Sequence, residues 1–156
     1  MLRVKHITEE GEELEIIRGL FREYEKELNE DICFQSFEEE LSSPLKKYGP
    51  PTGDLLLAYW EDEVAGCIAL TKLKDDGACE MKRLYVKPAF RKNRIGKLLV
   101  EDLLNSAKER NYTKMRLDTF FKLQPAVHLY QQFGFKNISA YYDNPLPGVV
   151  YMEKQL

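Results

Sequence analysis

Between Glu80 and Leu99 the chain reads E-M-K-R-L-Y-V-K-P-A-F-R-K-N-R-I-G-K-L-L, and few folds can hold that run. Cys79 to Val86 has the pattern of a strand, which Pro88, lacking an N–H, brings to a stop. A short basic loop follows. A helix is then predicted from about Arg94 to Arg110, with Ile95, Leu98, Leu99, Leu103 and Ala107 as its apolar stripe. A strand that passes through a short loop into a helix leaves unpaired N–H groups and the positive end of the macrodipole at the helix start. Both favour a bound anion. Arg91, Lys92, Arg94 and Lys97 concentrate positive charge there, and Gly96 lets a ligand approach the backbone closely. The physical reading is a pyrophosphate cradle. The run is neither a P-loop nor a G-x-G-x-x-G dinucleotide motif. On these residues alone, a solvated basic helix start with an incidental glycine is the alternative.

The remaining elements follow from periodicity and breakers. Leu2 to Thr8 alternates as a strand. Leu14, Ile17, Phe21, Tyr24 and Leu28 recur at helical spacing. A second helix is expected after Ser36, with Ser36 and Glu39 as a capping box, running to Lys47 ahead of Tyr48-Gly49-Pro50-Pro51. Leu55–Trp60, Val64–Leu73 and the strand into Val86 form an antiparallel meander, turned at Glu61-Asp62-Glu63 and Asp75-Asp76-Gly77. Lys114 to Thr119 is a strand, and Pro125 to Phe133 a helix that Gly134 ends. Phe135 to Ala140 and Val149 to Glu153 are closing strands around the proline-rich loop Asn144 to Gly148. No repeat, low-complexity tract or linker divides the chain, so residues 1–156 are expected to form a single domain.

The net charge of −3 gives no general attraction to nucleic acid or anionic membrane. No apolar stretch is long enough to cross a bilayer, and the N-terminus lacks a leader pattern, so a cytoplasmic protein is expected. Cys33, Cys67 and Cys79 are odd in number and contain no C-x-x-C pair. They point to neither disulfides nor a metal site, and are expected to pack as small apolar residues. His6 and His128 lack the partners of a catalytic triad. His128, two residues from Tyr130 on one helix, is expected to face elsewhere.

The run from Glu80 to Leu99 resembles the GCN5-related N-acetyltransferase (GNAT) superfamily, whose signature loop is [QR]-x-x-G-x-[GA] after a strand ending in a V-x-P-like turn. Ala126 to Phe135, A-V-H-L-Y-Q-Q-F-G-F, is similar to that family's A-x-x-L-Y-x-x-x-G-F motif. The two stand in the family's order and separation, and with the strands between them cover roughly the last two-thirds of the chain. The resemblance implies an α/β (α+β) acyl-CoA N-acyltransferase fold: a central mixed, mostly antiparallel sheet flanked by helices. It implies acetyl transfer from acetyl-CoA to a primary amine without a metal. Arg94 stands where the family has its middle glycine and is expected to adopt a backbone conformation open to L-residues. Leu123 stands where many members carry an asparagine that helps to hold the cofactor.

The resemblance also implies roles. An amine with a lysine-like pKa is neutral in only about one molecule in a few thousand at pH 7, so a base is needed. Glu80, eleven positions before Arg91, occupies the place of a glutamate general base; a strand-edge charge paired with Lys82 or Arg83 is the plainer alternative. Tyr130 matches the tyrosine that protonates the departing thiolate. The backbones of Leu84 and Val86 match positions that pair with the pantetheine arm, and a backbone N–H near Leu84 or Tyr85 stabilises the oxyanion. Arg91, Lys92, Asn93, Arg94, Ile95, Gly96 and Lys97 cradle the phosphates, and Ala126 lies against the cofactor. Tyr141 and Tyr142 precede a turn that can line the acceptor pocket. The acceptor is a small-molecule or peptide amine of open identity, and dimers are common in similar proteins. A CoA-binding sensor without catalysis, or an α/β domain binding another phosphate ligand, are the competing readings.

Overall fold

The computed structural model describes residues 1–30 and 36–156. Cys33 lies outside them. Seven strands form one sheet in the order β1-β2-β3-β4-β5-β7-β6. These are β1 Leu2–His6, β2 Asp54–Trp60, β3 Glu63–Lys72, β4 Ala78–Val86, β5 Lys114–Phe120, β6 Lys136–Ile138 and β7 Val149–Gln155. Only β4 and β5 pair in parallel; every other neighbour is antiparallel. The mixed, mostly antiparallel sheet is as expected.

Helices cover both faces. On one lie α1 Glu12–Leu28, α2 Phe37–Ser42 and α3 Pro44–Tyr48; on the other lie α4 Ile95–Glu109 and α5 Gln124–Gln132. The stripe of α1 buries Leu14, Ile17, Leu20, Phe21 and Leu28. These residues pack with Leu55, Leu57, Cys67, Ala69 and Tyr85 of the sheet. Ile95, Leu99, Val100, Leu103 and Ala107 of α4 pack on the other face against Leu56, Ile68, Leu70, Met81 and Leu117. At roughly 1.5–3 kcal/mol per fully buried aliphatic side chain, these two cores are the main favourable term in folding. The neighbours of each helix thus tell which way each strand residue points.

Three local expectations are corrected. Ser36 does not close a capping box with Glu39: its backbone is left-handed (φ 59°), and its side chain makes no capping hydrogen bond. Side-chain capping needs an extended N-cap residue. The single helix expected to run to Lys47 is two, because Pro44 supplies no N–H and drives Ser43 out of the helical region (φ −144°). The strand expected over Phe135 to Ala140 is also shorter, Lys136–Ile138.

One irregularity shapes the centre of the sheet. Cys67 pairs with Tyr85 and Ala69 with Lys82, so Ile68 alone opposes both Arg83 and Leu84. Arg83 carries the bulge in a left-handed backbone (φ 59°). Across it, a Cβ on Gly66 would stand 2.4 Å from the Tyr85 carbonyl oxygen, which fixes glycine there. A bulge bends its strand and increases the twist. β4 accordingly pairs with β5 only from Ala78–Glu80 to Lys114–Arg116 and then diverges, opening a cleft in the sheet. Cys67 and Cys79 are buried and free. Burial pushes both thiols well above their ordinary pKa.

Candidate active site

Three spaces lie along the divergence of β4 and β5. The first is a groove of about 800 Å³ between the end of β4 and the starts of α4 and α5. The second is a narrow cleft between the splayed strands, about 80 Å³, with Tyr130 in its wall. The third, about 480 Å³, holds Glu80, Lys82, Tyr141 and Tyr142. Tyr24, Leu84, Leu123 and Ala126 line both groove and cleft. Lys82 lines both cleft and third cavity.

Ten of the residues expected at the cofactor line the groove: Leu84, Tyr85, Val86, Arg91, Lys92, Arg94, Ile95, Gly96, Lys97 and Ala126. Asn93 does not; its amide turns back and donates to the Phe90 carbonyl at 3.1 Å. The mouth of α4 is open. Its N-cap, Arg94, provides no side-chain hydrogen bond to the first turn. The first intrahelical bond outside the helix body runs from Leu98 N–H to the Arg94 carbonyl. The N–H groups of Ile95, Gly96 and Lys97 therefore await an acceptor.

The electrostatics of this mouth differ from expectation in two ways. Arg91 is no free cation: its guanidinium donates to both carboxylate oxygens of Glu27 at 2.6 and 2.7 Å and to the Val86 carbonyl at 2.9 Å. It ties α1 to the end of β4. Lys92, Arg94 and Lys97 make no ion pair among the described residues and supply the net positive charge. Arg94 has not exchanged glycine's conformation for an ordinary one; it keeps a left-handed backbone (φ 60°, ψ 22°). The turn into α4 requires that geometry, at a cost of about 1–2 kcal/mol for an L-residue. Lys92 is left-handed too (φ 81°).

At the third cavity, strand alternation and the bulge act together. Glu80 and Lys82 point to the face carrying α1–α3. The extra residue at the bulge puts Arg83 on that face as well, where it donates to Glu40 of α2 at 2.8 and 3.0 Å. Both members of that pair are buried. Burial alone would raise the Glu40 pKa, but the Arg83 fork and the nearby charges of Arg83 and Lys47 outweigh it and hold the carboxyl below its ordinary range.

Glu80 is 5% exposed. The Tyr141 hydroxyl donates to it at 2.6 Å, and Lys82 Nζ stands 3.7 Å away. On β5, Asp118 accepts from the Tyr142 hydroxyl at 2.5 Å and stands 3.9 Å from Lys82 Nζ. Burial first, and then the adjoining carboxylates, push both tyrosines well above their ordinary pKa, so both keep their protons as donors. Tyr130 is buried edge-on to Phe135, with ring centroids 6.0 Å apart. Burial, with smaller contributions from Tyr24 and Asp118, raises its pKa and keeps it protonated.

The histidines separate. His6 Nδ1 lies 2.9 Å from both oxygens of Asp54. Asp54 also accepts from Ser106 at 2.5 Å, so this cluster pins β1 and β2 to α4. His128 does not face away from the site but lines the groove. Among the described residues no group of His, Cys, Asp and Glu is arranged to hold a metal, and no helix is long and apolar enough to cross a membrane. Of the two partners the sequence offers for Glu80, Lys82 stands beside it and Arg83 pairs with Glu40 instead. Nothing local in the sequence signals Lys47, Asp118 or Glu40, which come from other strands and helices.

The profile of the Acetyltransferase (GNAT) family matches residues 14–135. The chain belongs to the GNAT family. An uncharacterised N-acetyltransferase of Schizosaccharomyces pombe is 43% identical over 146 residues, which cover 93% of this chain and 90% of the relative. Among solved structures, an acetyltransferase of Streptococcus agalactiae superposes with a TM-score of 0.82 at 22% identity, over 99% of this chain and 98% of that one. A Bacillus subtilis acetyltransferase, solved in complex with CoA, superposes with a TM-score of 0.70 at 24% identity over 100% and 99% of the two chains. The protein is thus a GNAT-type N-acetyltransferase.

Proposed function

We propose that this acetyltransferase transfers the acetyl group of acetyl-CoA directly to a primary amine, with Glu80 as general base and Tyr130 as general acid. The observation that carries the reading is the continuity of the three spaces. An anion-binding groove leads through a cleft with an open strand edge to a cavity floored by a buried carboxylate. The pyrophosphate fits the unpaired N–H groups of Ile95, Gly96 and Lys97 and the free charges of Lys92, Arg94 and Lys97. The pantetheine arm fits the β4 edge at Leu84 to Val86, where β5 has diverged and no longer takes up the backbone groups.

Glu80 removes a proton from the acceptor ammonium, directly or through a water, and the free amine attacks the thioester carbon. Charge develops on the carbonyl oxygen, and a β4 N–H near Leu84 or Tyr85 meets it. As the C–S bond breaks, the thiolate takes the Tyr130 proton; the nitrogen releases its extra proton to solvent and Tyr130 regains one from solvent, giving the neutral amide and free CoA. Raised by burial, Tyr130 holds that proton at neutral pH. Tyr141, hydrogen-bonded to Glu80, orients the base.

A thiol-release assay with acetyl-CoA and a panel of amines tests the reaction. The expected result is CoA release with at least one acceptor. CoA binding without release from any amine would leave a CoA-binding sensor module instead. The cradle has its own test. A Cβ at Gly96 would meet only Leu129 and Val86 side-chain atoms at 3.7 and 3.9 Å, ordinary contacts. Gly96→Ala is therefore expected to keep or slightly raise the melting temperature. It should weaken CoA binding roughly tenfold, the equivalent of one lost hydrogen bond to a charged group. Calorimetry with CoA reads the affinity. Unchanged affinity would place the phosphates elsewhere.

A further inference from the structure

We propose that the acceptor is a zwitterionic amino carboxylate, such as a free amino acid, with Lys47 and Lys82 taking its carboxylate while its amine meets Glu80. This rests on the acetyl-transfer reading and names its second substrate.

The third cavity presents both signs of charge a short distance apart. The Lys82 side chain is largely buried, yet the carboxylate oxygens nearest its Nζ, on Glu80 and Asp118, stand 3.7 and 3.9 Å away. Lys47 Nζ, partly exposed on α3, stands 3.7 Å from Glu40. All three distances exceed hydrogen-bond length. Each carboxylate is also engaged elsewhere: Glu40 by the Arg83 fork, Glu80 by Tyr141 and Asp118 by Tyr142. Two ammonium groups thus face one cavity with no carboxylate of the described residues within hydrogen-bond length of either, which leaves their N–H donors open to a ligand. The Lys47 ammonium is disfavoured first by burial and next by the charge of Lys82. An anion placed between the two relieves both.

The other charges do not supply that anion. Asp75 is bound to Arg116 at 2.7 Å, and Glu153 holds the same guanidinium at 2.8 Å. Lys74 and Asp143 are exposed at the rim and oppose one another in sign. A plain amine would leave the lysines unmet; a plain acid would bring no nucleophile. An amino carboxylate answers both, because its two charged ends are separated by about the reach from Lys82 to Glu80. The cavity volume, about 480 Å³, lies within the range of small-molecule sites. Edge-on Tyr141 and Tyr142 rings, 5.5 Å apart, offer an apolar wall to a side chain.

The test compares amino acids with their own amides and decarboxylated amines in the thiol-release assay. The expected result is a kcat/KM higher for the acids by roughly tenfold to a hundredfold, the yield of charge-assisted hydrogen bonds to the carboxylate. Lys47→Gln, at a partly exposed position, should raise KM for the acids far more than for the amides and so bring the acid-to-amide ratio toward one. If decarboxylated amines or amides react as well as the acids, or if Lys47→Gln slows acid and amide alike, the carboxylate site is overturned while acetyl transfer stands. Absence of CoA release from every acceptor removes both.

Discussion

Glu80→Gln is expected to lower kcat by roughly 10²- to 10⁴-fold, the contribution of a positioned general base, with CoA affinity unchanged. The substitution is nearly isosteric. Its amide oxygen can still accept the Tyr141 hydroxyl, so the buried site keeps its hydrogen bond. What is lost is the acceptor for the amine's proton. The variant then depends on the fraction of acceptor already neutral in solution, which rises tenfold per pH unit below the amine's pKa. Its residual rate should therefore climb with pH across the range where the parent enzyme levels off. Stopped-flow or steady-state thiol release from pH 6 to 10 reads this directly. A Gln variant with parental kcat, or a loss confined to CoA binding, would reassign Glu80 to a structural role beside Lys82.

The second large effect concerns stability. Glu40→Gln removes the carboxylate from a fully buried pair and leaves the Arg83 guanidinium, which cannot discharge, in the interior. Breaking such a pair from one side costs roughly 3–5 kcal/mol. At about 2–4 °C per kcal/mol for a chain of this size, the melting temperature should drop by roughly 6–20 °C. Replacing both partners, Glu40→Leu with Arg83→Met, should recover much of that loss, because the buried guanidinium is removed together with its carboxylate. A double variant as unstable as the single one would show that the bulge geometry at Arg83, rather than charge, is decisive. The pH dependence has a definite sign. The folded-state pKa of Glu40 is depressed, so its contribution is complete above the ordinary glutamate pKa of about 4.3. It is lost as pH falls through the lower folded value. Acid should therefore destabilise the parent protein more steeply than Glu40→Gln, as urea unfolding between pH 3 and 6 can show.

Arg83 and its partners also mark where sequence reading stops. The meander, the helix after the basic loop and the closing strands are legible because each rests on local signals: a period of two or 3.6, Pro88 as a stop, Gly134 as a helix end. The failures are local too. Ser36 and Glu39 have the letters of a capping box, but the chain enters α2 through a left-handed residue. Arg94 has the wrong letter for a left-handed position, yet the loop holds it there. In both cases tertiary packing outweighs a preference of only about 1–2 kcal/mol. Arg91 is a further case: the sequence shows a cation in the basic loop, while Glu27, 64 positions earlier, neutralises it.

The run from Glu80 to Leu99 by itself determined a strand, a basic loop and a helix start, and with Ala126 to Phe135 it determined the family. Those features depend on neighbours a few residues apart, which sequence records. The depth of the site was decided only by the tertiary structure. One extra residue in β4 at Arg83 parts it from β5. The same extra residue puts Arg83 on one face with Lys82; Glu40 then meets Arg83, Asp118 meets Lys82, and Lys47, Tyr141 and Tyr142 line the cavity with Glu80. Charges that meet across a fold carry no spacing rule, so the basic loop could be read from letters and the cavity beside Glu80 could not.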